Sequence, residues 1–314
     1  MLKIAVVMDP IEAIKPHKDS SFAMLLAAQK RGHETHYITA DQLFMSHGRP
    51  QANSQTIQVR DQSSDWFTLG ETQTTDLQAF DVILMRKDPP FDMEYIMDTY
   101  VLDYASSEST HVINKPQALR DANEKFFTEA FPECTPENVI SRNPAILLPF
   151  IKEMGDVIVK PMDGMGGNSI FKTSGSDKNL PVILETVTQN GTKTTMVQKF
   201  IPQIDAGDKR ILLINGQPVP YALARIPSRS DFRGNLAKGG TGKGVPLSKR
   251  DFEIAEMVGP TLKAMGIVFA GIDVIGDYLT EVNVTSPTCI RELDAIYDLD
   301  IAGDLFDCIE QEIL

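Results

Sequence analysis

The sequence predicts a mixed α/β protein, with a parallel sheet flanked by helices first and antiparallel sheets with helices after it. A strand, a helix and a second strand follow one another within residues 2–38, an order that is typical of a parallel sheet. From Val139 onward, short apolar runs alternate with glycine-containing turns, which indicates antiparallel strands. A chain of 314 residues has room for about two domains, and we expect them at residues 1–121 and 122–314.

The first part is expected to contain four strands, two long helices, a polar hairpin and a final helix. The strands are predicted at 2–8, 35–38, 81–85 and 111–114, the long helices at 20–31 and 92–105, the hairpin at 55–69 and the final helix at 116–125. Ligands of open α/β sheets bind beyond the carboxyl ends of the strands. Arg86 and Asp88 follow the 81–85 strand, so they are candidates for a substrate site, with a solvated charged turn as the alternative.

The composition narrows the range of partners. The formal net charge of −13 argues against a nucleic-acid binder, which normally presents a basic face. It also means that an anionic substrate needs locally concentrated Lys and Arg side chains. Cys134, Cys289 and Cys308 are too scattered for a disulfide framework or a zinc site, and they fit a reducing cytoplasm. No run of about 18 apolar residues is present, so we expect no membrane span.

A glycine-rich connection at residues 161–169 joins two predicted strands, the first of which ends at Lys160. The backbone N–H groups of such a connection can bind phosphates, and Lys160 is placed to reach the same group; a flexible hairpin is the alternative. Ser169 stands where the dinucleotide fingerprint needs its last glycine, and a strand follows, so the motif is not of the Rossmann type. The strand predicted at 194–201 could bind an adenine edge through its backbone, or it could be a plain core strand.

Two arginines are expected on one face of a hairpin at residues 208–226, which turns at an Asn-Gly pair. The resulting register would place Arg210 opposite Tyr221, with Arg225 on the same face. Guanidinium groups suit the fork-like recognition of carboxylate or phosphate. The pair therefore favours a substrate site, and a structural ion pair is the alternative.

A basic, glycine-rich loop is predicted at residues 228–244, before a helix at 248–265. The loop has no hydrophobic periodicity, so it cannot bury a core and should be mobile when the site is empty. Its cations, Arg233 among them, favour a lid that closes over an anionic substrate. A disordered insertion without a role is the alternative.

Three potential metal ligands, Asp273, Glu281 and Asn283, lie within residues 271–288, where two apolar runs predict a hairpin. Hard oxygen ligands of this kind suit Mg²⁺. Strand side chains alternate between faces, so a two-residue turn alone would place Asp273 opposite Thr280 and away from Glu281. A metal site therefore requires a three-residue loop or a bulge in this hairpin. A solvent-facing polar stripe is the alternative.

In this order, the motifs resemble those of the bacterial-type glutathione synthetases, which belong to the ATP-grasp superfamily. The segments that carry the resemblance are VVMDP (6–10), KDSSFAML (18–25), ILMRKDPPFD (83–92), NKPQALRDANEK (114–125), KPMDGMGGNSIF (160–171), DKRILL (208–213), ARIP (224–227), RGNLAKGG (233–240) and TEVNVTSPTCIRE (280–292). They extend over nearly the whole chain and are highly specific together. The resemblance implies a pre-ATP-grasp domain at 1–121 and an ATP-grasp domain at 122–314, with a lid lobe at about 122–200 and a central lobe at about 201–314.

The resemblance also implies roles for individual residues. ATP contacts are expected from Lys125, Lys160, Gly164, Gly166, Gly167, Gln198, Lys199, Phe200, Ile201 and Asp208. Ligands for Mg²⁺, or alternatively for Mn²⁺, are expected from Asp273, Glu281 and Asn283. Contacts to the substrate and its acyl phosphate are expected from Arg210, Arg225, Asn283, Ser286 and Pro287, and catalytic stabilisation of the phosphoryl group from Arg210, Arg225 and Arg233.

The reaction that the family implies is the ATP-dependent ligation of γ-glutamylcysteine to glycine through an acyl phosphate, which releases ADP and phosphate. A cytoplasmic homo-oligomer is expected, a tetramer by resemblance. Two alternatives stay open. One is an ATP-grasp ligase with another acceptor, as in D-alanine ligation or the amino-acid tailing of a protein; the other is a non-catalytic nucleotide-binding protein like synapsin.

Overall fold

The computed structural model describes residues 1–164, 166–228, 233–234 and 239–314, and within these ranges the chain forms three sheets. The first sheet contains β1 (Lys3–Val7), β2 (Glu34–Ile38), β3 (Leu43–Ser46), β4 (Arg49–Val59), β5 (Phe67–Leu69), β6 (Gln73–Asp76), β7 (Val82–Met85) and β8 (His111–Ile113). The helices of this part are α1 (Ser20–Lys30), α2 (Met93–Ala105) and α3 (Pro116–Asp121).

The core of the first sheet is parallel and has the order β2-β1-β7-β8. Side chains alternate along β1, so Ile4 packs in the same apolar cluster as Phe22 of α1, while Ala5 packs with Leu102 of α2. The predicted strand, helix and strand at the N-terminus are confirmed. Because β1 and β7 are neighbours, the residues beyond their carboxyl ends meet at one edge of the sheet.

Two predictions for this part need correction. The polar hairpin predicted at 55–69 belongs to a larger antiparallel extension, in which β4 pairs with β2 and carries β3, β5 and β6. The helix predicted at 116–125 ends at Asp121. The side chain of Asn123 accepts hydrogen bonds from the backbone N–H groups of Lys125 and Phe126, and a short 3₁₀ helix begins there instead.

The second sheet is antiparallel and contains β9 (Asn138–Ser141), β10 (Asp156–Pro161), β11 (Phe171–Ser174) and β12 (Thr195–Lys199). Two helices, α4 (Pro144–Met154) and α5 (Leu180–Val187), cover one of its faces. Val157 and Val159 of β10 form one apolar cluster with Leu147 of α4. The two-residue period of the strand therefore turns Ile158 and Lys160 to the opposite face.

The third sheet is also antiparallel and contains β13 (Asp208–Ile214), β14 (Gln217–Ile226), β15 (Thr241–Pro246), β16 (Phe269–Ile275) and β17 (Tyr278–Asn283), in the order β15-β14-β13-β16-β17. Helix α6 (Lys249–Met265) packs on one face, where its Ile254 joins Ile211 and Ile272 in one cluster. The helix begins at a capping box on Ser248 and ends at Gly266 in the left-handed region. The prediction of a helix at 248–265 is confirmed.

Two predictions for the third sheet are wrong in detail. A register shift in the β13–β14 pair places Arg210 opposite Leu223 rather than Tyr221. The loop predicted at 228–244 ends earlier than expected, because Thr241–Pro246 pairs with β14 as an edge strand. The parts of that predicted loop that lie outside the described residues are 229–232 and 235–238.

The chain returns to the first sheet through two C-terminal helices, α7 (Ile290–Tyr297) and α8 (Ile301–Cys308). Phe306 of α8 packs in the same cluster as Phe22 of α1, and the guanidinium of Arg31 donates to the carbonyl of Gly303 at 2.8 Å. The last helices therefore lie against the first part of the chain. None of the helices in the described ranges has the length and apolar character of a membrane span.

Candidate active site

A cavity of about 340 Å³ lies between the second and third sheets. The faces that line it are those opposite the helices, so the strand period that buries the core also turns polar side chains into the cavity. Most of the residues predicted for ATP, metal and substrate come together here. They are Lys125, Lys160, Gly164, Gly166, Gly167, Gln198, Phe200, Ile201, Asp208, Arg210, Arg225, Arg233, Asp273, Glu281, Asn283 and Ser286.

Three predicted site residues do not line the cavity: Lys199, Arg86 and Pro287. Lys199 follows Gln198 on β12, so its side chain points to the other face, where Nζ lies 3.0 Å from the Glu137 carboxylate. The guanidinium of Arg86 is buried behind the loop that follows β17, and its Nη2 donates to the carbonyl of Pro287 at 2.9 Å. Arg86 therefore holds that loop in place from behind.

The β16–β17 hairpin carries the three candidate metal ligands. Its turn has two residues, and a register shift next to Asp273 leaves Thr280 as one extra residue on β17. The shift is a bulge, and it places Asp273 directly opposite Glu281 and Gly271 opposite Asn283. The expectation that a loop of odd length or a bulge must be present is confirmed, and the bulge is the form that it takes.

The same bulge positions a lysine. The hydroxyl of Thr280 donates to the carbonyl of Asp273 at 3.1 Å, and the carbonyl of Thr280 accepts from Lys160 Nζ at 3.2 Å. Burial lowers the pKa of Lys160 to about 8, although the nearby carboxylate of Glu281 opposes the shift. Lys125 Nζ donates to the carbonyl of Gly164 at 2.6 Å and lies 3.7 Å from Glu281. Two ammonium groups thus lie beside one edge of the hairpin.

Two arginines converge on Asp273, Arg210 from the adjacent strand β13 and Arg225 from β14, the strand beyond it. Arg210 Nε lies 2.5 Å from one carboxylate oxygen, and Arg225 Nη2 lies 2.8 Å from the other. Burial would raise the pKa of Asp273, but the two guanidinium groups outweigh it and hold the pKa below the ordinary value. Arg225 also pairs with Asp208, whose pKa burial raises to about 7. Of the two carboxylates that share Arg225, Asp273 is the one that stays ionised.

The glycine-rich connection closes one end of the cavity. Gly166 and Gly167 both have positive φ angles, which glycine adopts at little cost. The carbonyl of Gly167 accepts from Arg233 Nη1 at 2.6 Å, and a Cβ on Gly167 would lie only 3.2 Å from the side chain of Arg233. The residue before them, Met165, lies outside the described residues. The connection after β10 and the segment after β14 therefore meet at this point.

Several lining residues were not assigned by the sequence analysis. Glu124, Thr285 and Cys289 line the cavity, and so does Asp88, which the sequence analysis named as a candidate. The sequence signal for Glu124 is its position beside Lys125, in a segment that no periodicity explains. Thr285 and Cys289 lie in the loop after β17, whose path depends on contacts with the first sheet.

Two family models match consecutive parts of the chain. The family model described as the N-terminal domain of prokaryotic glutathione synthetase matches residues 2–120, and the model of its ATP-grasp domain matches residues 124–298. The chain belongs to the prokaryotic glutathione synthetase family. It is therefore an ATP-grasp enzyme of the ligase class, and the predicted fold class is confirmed.

Relatives with high sequence identity match this chain over its whole length. A glutathione synthetase of Shewanella oneidensis is 53% identical over 313 residues, which is 100% of this chain and 99% of that protein. One of Salmonella typhimurium is 51% identical with the same coverage. Among solved structures, the ATP-grasp ligase PsnB with a minimal precursor has a TM-score of 0.64 at 19% identity and covers 98% of both chains. D-cycloserine synthetase DcsG has a TM-score of 0.68 at 12% identity and covers 99% of this chain and 100% of that one. At such identities the two structures show a shared fold.

Proposed function

We propose that this family member catalyses the ATP-dependent ligation of γ-L-glutamyl-L-cysteine and glycine, which forms glutathione, ADP and phosphate. The observation that carries the proposal is one cavity in which lysines and arginines meet the Asp273–Glu281–Asn283 set. A carboxylate is a poor acyl donor. ATP therefore first converts the cysteinyl carboxylate to an acyl phosphate, and the amine of glycine then displaces phosphate.

ATP would lie between the two sheets, with its phosphates at the glycine-rich connection. Lys125 and Lys160 supply positive charge there, and both are buried, so their interaction with phosphate is little screened by water. Gln198, Phe200 and Ile201 line the cavity and would contact the nucleoside. Asp208 supports this orientation, because its buried Oδ1 has no hydrogen-bond partner in the described chain and can accept from a ribose hydroxyl.

Asp273, Glu281 and Asn283 would hold Mg²⁺, or alternatively Mn²⁺. Two carboxylates and an amide on facing strands form a hard-oxygen donor set that fits such an ion. Asn283 contacts Gly271 and Asp273 through its Nδ2, so its amide oxygen is left for a cation. When bound, the ion neutralises phosphate oxygens and stabilises the charge on the transferring phosphoryl group.

The arginines would bind the reacting end of the dipeptide. Arg225 is partly buried, and its buried Nε has no hydrogen-bond partner among the described residues, so it has a donor to offer to a carboxylate or phosphoryl oxygen. Arg210 lies beside it on the same carboxylate. Arg233 joins the segment after β14 to the glycine-rich connection and would help to keep water from the acyl phosphate.

The compartment and the assembly follow from less direct observations. The three cysteines are free and buried, which supports the reducing cytoplasm as the place of the reaction. Assembly into a homo-oligomer, predicted by resemblance to be a tetramer, stays a prediction that light scattering on the purified chain tests.

A substrate panel tests the proposal. The purified chain is given ATP and Mg²⁺ with γ-glutamylcysteine and glycine, with D-alanine alone, or with a peptide and a free amino acid. We expect ADP and glutathione in equal amounts with the first pair and background turnover with the others. Turnover with D-alanine or a peptide in place of the first pair would contradict the proposal.

The same assay tests the metal ligands. Glu281→Gln removes one anionic ligand and should lower Mg²⁺-dependent turnover by about 100-fold or more, by analogy with the loss of one preorganised electrostatic contact. Glu185→Gln, on the exposed side of α5, is the matched control and should behave like the parent. A Glu281→Gln variant that is folded and fully active would contradict the metal assignment.

A further inference from the structure

Glu124 is fixed rigidly against the hairpin of the proposed metal site. Its backbone carbonyl accepts from the N–H of Val282 on β17 at 2.8 Å. Its carboxylate lines the cavity, and Oε1 accepts from the hydroxyl of Thr285 at 3.0 Å. Val282 lies between the ligands Glu281 and Asn283, so the position of the Glu124 carboxylate relative to the reaction centre is set by the strand itself.

Glu124 is also a carboxylate of the cavity that the proposed function does not use, and it is the one bonded to the proposed metal hairpin, whereas Asp88 lies after β7. Asp273 is occupied by two arginines, Asp208 pairs with Arg225, and Glu281 lies beside Lys125. In the part of the chain that the structure describes, the Glu124 carboxylate is bonded to a hydroxyl and forms no ion pair. Glu124 is partly buried. Removing a carboxylate from water without a cationic partner is costly, and such groups are found where a ligand supplies the partner.

The groups that face Glu124 favour a carboxyl that can exchange a proton. Burial raises its pKa above the ordinary value, and the charge of Glu281 adds to the shift. Lys125 and Arg210, with the hydroxyl of Thr285, act in the opposite direction. A carboxylate whose pKa is raised toward neutrality is a better proton acceptor than an exposed one.

A second, independent feature is a buried phenol on α2. Tyr95 of α2 is 2% exposed, and its hydroxyl has no hydrogen-bond partner among the described residues. Burial raises the pKa of this phenol above its ordinary value, and the negative charge of Glu124 adds to the shift. Buried hydroxyl groups in native structures are almost always paired. The unsatisfied phenol therefore indicates that a polar group or a water lies beside Tyr95.

The proposed reaction requires a cation at this place. The amine of glycine is an ammonium ion in neutral solution, with three N–H donors and no lone pair for attack. Before it reacts it must be bound near the acyl carbon and must lose one proton. The other charged groups of the substrates at the reaction centre are phosphates and carboxylates. These are anions, and they match the lysines and arginines of the cavity.

We propose that Glu124 is the residue that binds the ammonium group of the acceptor and takes its proton, an inference that rests on the proposed function. The carboxylate accepts one proton from R–NH₃⁺, and the freed lone pair attacks the carbonyl carbon of the acyl phosphate. The new C–N bond forms, and the bond between the acyl carbon and the bridging oxygen breaks. Phosphate leaves with that oxygen and the electron pair. The second amine proton goes to the departing phosphate, and Glu124 then returns its proton to solvent.

The dipeptide donor carries an ammonium group as well, on its glutamyl part. That group lies at the far end of the donor from the cysteinyl carboxylate that is activated. Glu124 is bonded to Val282, which lies between the proposed metal ligands Glu281 and Asn283. Glu124 would therefore lie beside the activated carboxylate. The position therefore assigns the acceptor's amine, rather than the donor's, to Glu124.

The test uses Glu124→Gln with two acceptors. With glycine, loss of the charge and the base should lower kcat/KM by about 100-fold, while KM for γ-glutamylcysteine stays within about threefold of the parent value. Hydroxylamine is largely uncharged at neutral pH and needs no base to attack. Formation of the γ-glutamylcysteine hydroxamate should therefore stay within about threefold of the parent rate. Raising the pH should restore part of the glycine reaction, because it supplies free amine.

Each other outcome overturns the inference in a recognisable way. An equal loss with glycine and hydroxylamine assigns Glu124 a structural role, and a rise in KM for γ-glutamylcysteine alone assigns it to the donor. Glycine kinetics like those of the parent remove the role altogether. A parent chain that forms neither glutathione nor hydroxamate overturns the proposed function itself. Glu185→Gln, exposed on α5, is the control for substitution of a glutamate elsewhere.

Discussion

At the scale of single residues, the carboxylates of the cavity differ in whether they keep their negative charge near neutral pH. Asp273 receives two guanidinium groups, and these hold its pKa low in spite of burial. Asp208 shares only Arg225, and burial raises its pKa to about 7. The two aspartates are chemically alike, but their surroundings separate a permanent anion from a carboxyl that is partly protonated near neutral pH.

This difference predicts unequal effects on stability. Asp273→Asn leaves Arg210 and Arg225 buried without their shared anion and should lower the free energy of unfolding by about 3 kcal/mol. Asp208→Asn should cost less than about 1 kcal/mol at pH 7, because the carboxyl is already partly neutral and Asn can still accept a hydrogen bond. Denaturant unfolding of the two variants beside the parent measures both. Equal losses of unfolding free energy in the two variants would contradict this difference in charge between Asp273 and Asp208.

Lys160 gives a prediction for pH. Burial lowers its pKa to about 8, and a lysine binds phosphate while it is charged, which is below its pKa. Nucleotide affinity should thus be constant from about pH 7 to 8 and then fall by up to about tenfold per pH unit above it. Lys160→Met should bind more weakly, without that fall. A parent affinity that stays constant up to about pH 9.5 would contradict the assignment of Lys160 to the phosphates.

Residue-level prediction from the sequence succeeded where strand alternation decides the outcome. A three-residue loop or a bulge was required for Asp273 and Glu281 to share a face, and the structure has the bulge. The partner of Arg210 was predicted wrongly, because a register shift later in the same hairpin leaves no mark in the sequence. Glu124 was missed since its importance comes from contacts with β17 and with the loop after it, far away along the chain.

At the scale of elements, two connections determine how the cavity is closed. The glycine-rich connection after β10 and the segment after β14 meet through Arg233 and the carbonyl of Gly167. Edge strand β15 was not predicted, because its glycines and exposed side chains give no apolar alternation. Its place in the sheet comes from backbone pairing with β14. A deletion of the predicted lid loop as far as residue 243 would therefore also remove the first half of β15 from the sheet.

A substitution at Arg233 tests the closure without that damage. Arg233→Ala should leave ATP affinity within about threefold of the parent value but lower the amount of glutathione formed per ATP, because water reaches the acyl phosphate. The ratio of ADP to glutathione measures this coupling. Arg49→Ala, on the exposed part of β4, is a matched control. Unchanged coupling in Arg233→Ala would remove the proposed role in excluding water.

At the scale of the whole molecule, the cavity collects groups from distant parts of a strongly acidic chain. The formal net charge is −13, yet three arginines and two lysines line one cavity between the second and third sheets. This local concentration is what binding of anionic substrates requires in such a chain. Helices α7 and α8 return to α1, so the loop that begins at Thr285 is held from both sides.

The transfer of oxygen from the donor to phosphate tests the central claim most directly. γ-Glutamylcysteine labelled with ¹⁸O in its cysteinyl carboxylate is turned over with ATP, Mg²⁺ and glycine, and the released phosphate is analysed by mass spectrometry. If this cavity forms an acyl phosphate on the dipeptide, one ¹⁸O atom passes to phosphate for each glutathione formed. Glutathione formed together with unlabelled phosphate would contradict the account.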